Sequence, residues 1–396
     1  MTSDPQRAVF RSALDGLIDR VSRVLDELGP SFPMFIDNDG KWYTTEDGNW
    51  CAGHWIGLLW LSYSHAPDES AGVRFKDAAY LCIEQLRRQP KGHIFAGMNH
   101  NYGGFFGSLV IEDPELLRLG MQGADAMLDL FEPVGQLIPV GFCDVLPRNG
   151  PNENDSSDSE WSAMDLGHTM AVDTIHTSLP VLWRAYALSE DSRYLEAARA
   201  HLRRHLDWMV RPDGSTIQLR AYEKSTGVPG PPLELLAPGG CWSRGFGWHV
   251  NGLCEAILAT RDLELVHCLR LSMRYYLAQV GSDLLPAWDL ALGEAAQPID
   301  ASAAAATAYG LVRLADSSDH RLGDLVVLGE KILTAVVERC IGTEDGPLRG
   351  AVQHGCYRFP SHLAIDTELI WSDFYTAAAL SHVLKFNDSD RGKSLD

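Results

Sequence analysis

Two kinds of helical segment alternate along this chain. In the first, apolar residues recur three and four positions apart with polar residues between them, as at Phe10, Leu14, Leu17, Ile18, Val21, Val24, Leu25 and Leu28, before Gly29 and Pro30 end the run. Segments 9–28, 72–88, 114–130, 192–210, 262–280 and 320–339 read this way, as amphipathic helices with one face on water. In the second kind the residues are small or apolar all round, at 56–63, 105–111, 179–188, 250–258, 303–314 and 376–384. A helix with no polar face is a helix buried on every side. Each apolar segment follows a short cluster of Trp, Gly, Asp or His, at 50–55, 99–104, 172–176, 242–248, 300–302 and 371–375. The clusters recur at intervals of roughly 50 to 70 residues, room for two helices and their loops. The pattern predicts an all-α chain closed into a ring of helical hairpins. The apolar helices line the inside, and their N-terminal ends gather the polar and aromatic clusters at one mouth.

Little of the chain departs from this pattern. Residues 136–145 and 215–222 alternate with a period of two and predict short strands at the mouth. Residues 148–160 are polar and rich in turn formers, which fits either a lid over the mouth or a solvated connector. No linker composition interrupts the repeat, so residues 1–396 are expected to form one domain.

Composition narrows the partners. The chain has 396 residues, 45% hydrophobic and 22% charged, with a formal net charge of -20. An acidic surface argues against nucleic acid and anionic membranes, both of which need cations to displace counterions. Cys51, Cys82, Cys143, Cys241, Cys254, Cys268, Cys340 and Cys356 are scattered with no CxxC pair, which predicts reduced thiols. The polar start Met1 to Arg7 lacks the apolar run of a signal peptide, so a cytoplasmic location is the expectation. No apolar stretch is long enough to span a bilayer. A monomer or homodimer acting on a small molecule follows, with no cofactor and no metal, since no P-loop, GxGxxG, HExxH or Ser-His-Asp order is present.

The chemistry belongs to the mouth. Asp173 begins an apolar helix, with His176 one turn later. Desolvation there raises a carboxyl pKa and a helix N-terminus lowers it, a balance that suits proton transfer. The alternative is an N-cap Asp that accepts a backbone N–H. Trp242-Ser243-Arg244-Gly245-Phe246-Gly247-Trp248 sets two aromatic rings and an Arg around two glycines, and Trp50 and Trp371 add to the aromatic supply. Trp faces pack on sugar C–H faces, and Arg holds a carboxylate with paired donors, so the ligand expected is a sugar. His100-Asn101-Tyr102 on the Gly103-Gly104 turn points polar atoms at the same mouth. Asp300 reads as a helix cap and Asp213 as a turn residue, while Trp60 and Trp183 sit inside apolar runs and belong to the core.

Taken together, these clusters resemble the unsaturated glucuronyl hydrolases, glycoside hydrolase family 88, and more distantly the unsaturated rhamnogalacturonyl hydrolases of family 105. The resemblance runs from about Phe32 to Leu384 through Phe32-Pro33, Trp50 to Leu61, Val172-Asp173-Thr174 with Leu179-Pro180, Asp213-Gly214-Ser215-Thr216, Trp242-Ser243-Arg244-Gly245, Asp300-Ala301-Ser302-Ala303 and Trp371-Ser372-Asp373. It implies an (α/α)6 barrel. It also implies hydration of the C4=C5 double bond of a terminal unsaturated uronate, in place of cleavage by paired carboxylates. Asp173 is implied to protonate C4 and to activate the water, Trp50 and Trp248 to stack on sugar rings, and Arg244 to lie near the ligand.

Three ligand-facing positions depart from the family. Its second Asp, in a His-Asp-x-Gly-Phe turn, is Asn101 here, and the turn carries an extra Gly. Its His after the Asp-Gly-Ser-Thr strand is Gln218, and its His-Gln pair reads Leu233-Glu234. Asn101 cannot titrate, and Glu234 repels a uronate carboxylate unless it is paired or protonated. The expectation is therefore a family enzyme with altered specificity. An ordinary unsaturated glucuronyl disaccharide hydrolase and a non-catalytic carbohydrate-binding toroid are the alternatives.

Overall fold

The computed structural model describes residues 4–393 apart from 38, 142–164, 235, 293–296 and 344. The predicted lid or connector at 148–160 lies outside the described residues.

Six amphipathic helices form an outer wall. They are α1 (Asp4–Leu28), α3 (Glu69–Leu86), α5 (Pro114–Leu130), α7 (Ser192–Met209), α9 (Leu263–Val280) and α11 (Gly323–Cys340). Four of them start on an aspartate that caps: Asp68 accepts from the Ala71 amide, Asp113 from Glu115, Asp191 from Arg193 and Asp262 from Glu264. Such a carboxylate satisfies one of the free N–H groups of the first turn and complements the helix dipole.

The inner helices are α2 (Ala52–Ser64), α4 (Phe95–His100, continued as a π-helix over Asn101–Phe106), α6 (Thr174–Ser189), α8 (Ser243–Thr260), α10 (Ala301–Arg313) and α12 (Ile370–Lys393). Each packs on the next, and α12 returns to α2, so the ring closes. Glycine explains how tightly. A methyl group added at Gly53 would lie 2.7 Å from the Asn99 Cα on α4, one at Gly97 2.5 Å from the Thr177 carbonyl oxygen on α6, and one at Gly252 2.7 Å from Ile175. Gly247 meets the Ala303 carbonyl on α10 at 2.8 Å and Gly57 meets the Phe374 ring on α12 at 2.4 Å in the same sense. The small residues that made these helices recognisable are therefore the surfaces on which neighbouring backbones touch.

Three small antiparallel sheets sit where chain enters the inner helices. They are β1 (Phe32–Ile36) with β2 (Trp42–Thr45), then β3 (Thr169–Ala171), β4 (Leu219–Glu223) and β5 (Val228–Leu233) in that order, and β6 (Gly355–Arg358) with β7 (Leu363–Thr367). β4 bears out the strand expected within 215–222, and Thr216 adds a bridge to Val210. Residues 136–141 form only isolated bridges, from Leu137 to Glu132 and from Gly141 to His93. Among the described residues the seven cysteines are free, and no helix is long and apolar enough to cross a membrane.

Candidate active site

β3 runs into α6, and Asp173 stands at the junction. Its backbone is already helical, φ -62° and ψ -29°, and its carbonyl accepts from the amides of His176 and Thr177, each at 3.0 Å. Its side chain, unlike those of the four outer-wall aspartates, caps nothing. Oδ1 is shut off from solvent and has no hydrogen-bond partner among the described residues. Burial raises its pKa to about 7, opposed by the Arg244 charge. The N-cap alternative is thereby set aside.

The wall beside it is aromatic. Trp50, from the 3-10 turn Asn49–Cys51, lies 4.6 Å from Trp371, 6.0 Å from Trp248 and 6.1 Å from Tyr357 between ring centroids, and its indole N–H donates to the Tyr357 hydroxyl. Trp242 meets Trp248 edge-on at 5.5 Å. Gly245 lets Val172 pass, since a Cβ there would lie 2.6 Å from the Val172 side chain and 2.7 Å from the Trp242 ring.

Arg244 occupies the centre of this wall. Its guanidinium faces four rings, Trp242, Trp248, Tyr357 and Trp371, at 4.6 to 5.8 Å. Nη1 donates to Asp300 Oδ2 and to the Cys356 carbonyl, and Nη2 to the Tyr357 carbonyl. The carboxylate it holds is Asp300, so Arg244 builds the wall and sets the field at Asp173. Asp300 also caps α10 through the Ser302 amide, as expected, and Asp213 makes its expected turn by accepting from Ser215.

Other candidates are displaced. His100 and Asn101 are not on a turn before the helix; they lie within it, because α4 starts at Phe95. His100 is fully buried against the outer wall, its Cβ facing Gly123 of α5 and its Nδ1 engaged with the Ala96 carbonyl. Asn101 opens the π-helical stretch, with its amide oxygen buried and lacking a donor. His176 is 2% exposed and held from the axis of the ring, with the Tyr375 hydroxyl 2.7 Å and the Tyr102 hydroxyl 3.0 Å from Nε2 and the Trp248 ring stacked at 8°. It supports the floor of the mouth. Trp371 is fully buried, packed on Trp50 and facing the Arg244 guanidinium.

Gln218 and Glu234 stay together at the edge. The Gln218 carbonyl accepts from the Val172 amide beside Asp173, and the Gln218 amide donates to Glu234. Glu234 pairs with Arg211, which also donates to the Thr216 carbonyl. Burial nonetheless raises its pKa to about 7 against that cation. The repulsion anticipated for a bound uronate is thus neutralised within the protein.

Tyr357, Tyr375, Arg211 and Arg220 were not among the sequence candidates. Tyr375 closes the cluster 371–375 and had a signal there. Tyr357 had none, because its hairpin turns on the non-glycine residues His354, His362, Ala364 and Asp366 at positive φ, and no periodicity marks such a segment. Among the described residues no group of His, Cys, Asp and Glu is arranged to hold a metal ion.

The fold is that of the helical-toroid class, and the described residues place an uncapped carboxyl, Asp173, beside an aromatic wall at the mouth of the ring. No protein-family model matches the chain. It is 24% identical over 385 residues to the unsaturated glucuronyl hydrolase of Bacillus sp. (strain GL1), covering 94% of this chain and 96% of that one. It is 22% identical over 382 residues to the unsaturated chondroitin disaccharide hydrolase of Streptococcus pyogenes serotype M1, covering 94% and 90%. The crystal structure of the Bacillus sp. GL1 hydrolase superposes with a TM-score of 0.82 over 94% of this chain and 96% of that one, at 22% identity. Over nearly its whole length the chain is thus similar in sequence and in fold to the unsaturated glucuronyl hydrolases.

Proposed function

We propose that residues 1–396 act as one catalytic domain that hydrates the C4=C5 double bond of a terminal unsaturated uronyl sugar, or a related enol-ether sugar, with a specificity different from that of its named relatives. Asp173 gives its proton to C4, and the carboxylate left behind takes a proton from the water whose oxygen bonds to C5. The C5 hemiketal then opens by breaking its ring C–O bond, and the aglycone leaves C1 as an alcohol. One water is consumed and Asp173 ends protonated as it began.

The observation that carries this reading is the uncapped Asp173 carboxyl with its pKa near 7, since a group that must give and take a proton in one cycle works best when both forms are accessible at the working pH. Trp50, Trp242 and Trp248 supply faces for a sugar ring, and Asn101 supplies an amide that can orient a hydroxyl without titrating. Altered specificity is supported by the Glu234–Arg211 pair beside Gln218, which replaces two family positions with an internally satisfied unit.

Unsaturated uronates absorb at the short-wavelength end of the ultraviolet, and loss of that absorbance on adding the protein tests the reaction directly. A panel of unsaturated glucuronyl and chondroitin disaccharides should be turned over slowly or selectively. Equal, fast turnover of the whole panel would refute the altered specificity. No loss with any member, together with unchanged sugar binding by Asp173→Asn, would leave a binding toroid.

A further inference from the structure

If the ligand is a uronate, some cation must meet its carboxylate, and the two arginines already described are committed elsewhere. Arg244 gives both Nη groups to Asp300 and two carbonyls and keeps only a buried Nε without an acceptor, and Arg211 serves Glu234, the Thr216 carbonyl and the Ser215 hydroxyl.

Arg220 is not spent. It lies on β4, two residues after Gln218, whose carbonyl meets the end of β3. The β3–β4 pairing fixes its place. Met170 pairs with Arg220, and the next contact along, from the Val172 amide to the Gln218 carbonyl, leads directly to Asp173. On the other side Arg220 pairs with Pro232 of β5, two residues before Glu234. The Arg220 guanidinium is partly exposed, yet its Nε is shut off from water and has no acceptor among the described residues. Arg211 and Glu234 both lie close enough to act on its charge. A partly desolvated guanidinium with an N–H that no protein acceptor meets is suited to receive an anion.

We infer that Arg220 is a specificity-determining residue that receives the carboxylate of the bound sugar at the edge of the mouth, with the Glu234–Arg211 pair holding β4 and β5 in place behind it. The inference rests on the sugar reading proposed above. A fork of N–H donors matches a carboxylate in a way that a hydroxyl or an ester does not. Arg220 therefore discriminates between a uronyl sugar and its neutral counterpart, while Asp173 performs the chemistry.

The test uses binding alone, with ligands that cannot react. Quenching of tryptophan fluorescence is followed on adding a saturated glucuronyl disaccharide or its methyl ester to the wild-type protein, Arg220→Gln and Arg220→Lys. The expected result is that the wild type binds the acid about tenfold or more tightly than the ester, that Arg220→Gln erases the difference by weakening only the acid, and that Arg220→Lys keeps part of it. Thermal melting accompanies each variant. If Arg220→Gln melts early, Arg220→Lys decides the matter, through severalfold weaker acid binding at unchanged ester affinity. Persistence of the full acid preference in a folded Arg220→Gln, or no preference in the wild type, overturns the role of Arg220 and leaves the sugar site standing. Failure of the wild type to bind either sugar removes both.

Discussion

Arg244 and Asp300 form an ion pair 3.0 Å apart, with both side chains almost wholly buried, and the same guanidinium lowers the pKa of Asp173 against its burial. Asp300→Asn removes the charge that offsets Arg244. The field of Arg244 at Asp173 then strengthens, and the Asp173 pKa falls below its present value near 7. The alkaline limb of the pH–rate profile should move to lower pH, and stability should drop by about 3–5 kcal/mol because a buried cation loses its partner. A limb that stays in place while the protein melts earlier would show that Asp300 is only a brace.

Asp173→Asn should lower turnover about 10³-fold or more while leaving affinity for a saturated sugar intact. The wild-type profile carries a sign. Protonated Asp173 is the acid, and its folded-state pKa is raised to about 7, so kcat should fall as pH rises through that value. Single-turnover absorbance decay across pH 5 to 9 checks both statements, with pH limits set about two units either side of the pKa.

The seam between α2 and α4 makes a mechanical prediction. Gly53→Ala places a methyl group 2.7 Å from the Asn99 Cα, in backbone that has no room to yield, so denaturant unfolding should show a loss of about 1–3 kcal/mol. At Gly92 nothing lies within 4 Å, and the same substitution there should be neutral. Equal effects at the two sites would refute the close-packed ring.

Acid should unfold the protein through its histidines. His176, His201 and His249 are buried and their pKa values are pushed down to about 3, against 6.5 in an unfolded chain. Because each pKa is depressed in the folded state, the unfolded chain takes up protons first, and stability falls as pH drops below about 6.5. Asp173 and Glu234 act oppositely, since their raised pKa values make the fold hold protons the unfolded chain releases between pH 7 and 4. His54, His100 and His205 are depressed as well and tip the balance. Calorimetric unfolding near pH 5.5, in buffers of different ionisation enthalpy, should report a net uptake of protons. Net release would contradict the buried, neutral imidazoles.

The ring was legible because burial on all sides and burial on one side leave different periodicities, and each outer helix ends where its apolar stripe ends. Asp173 was legible as a position, but the same letters fit a cap, and only the arrangement of its neighbours separates Asp173 from Asp68 or Asp113. His100 was misplaced for a related reason. Two glycines in a row read as a turn, yet here they let α4 press on α5, where a Cβ at Gly104 would lie 2.5 Å from the Gly120 nitrogen. Arg244 carried the right chemistry with the wrong partner, because the carboxylate it holds is 56 residues away in sequence. Arg220 left only the weak trace of following Gln218 by two residues in the segment expected to form a strand.

The π-helical stretch Asn101–Phe106 contains the glycine that the resemblance drawn from the sequence marks as an addition to the turn. An added residue in an ordinary helix would rotate everything after it by about 100° and break the contact with α5. A wide turn swallows the addition locally. Evolution can thus re-aim the few side chains on the rim of the mouth while the wall behind them keeps its alignment, so that new ligand preferences arise from single-residue insertions without redesign of the scaffold.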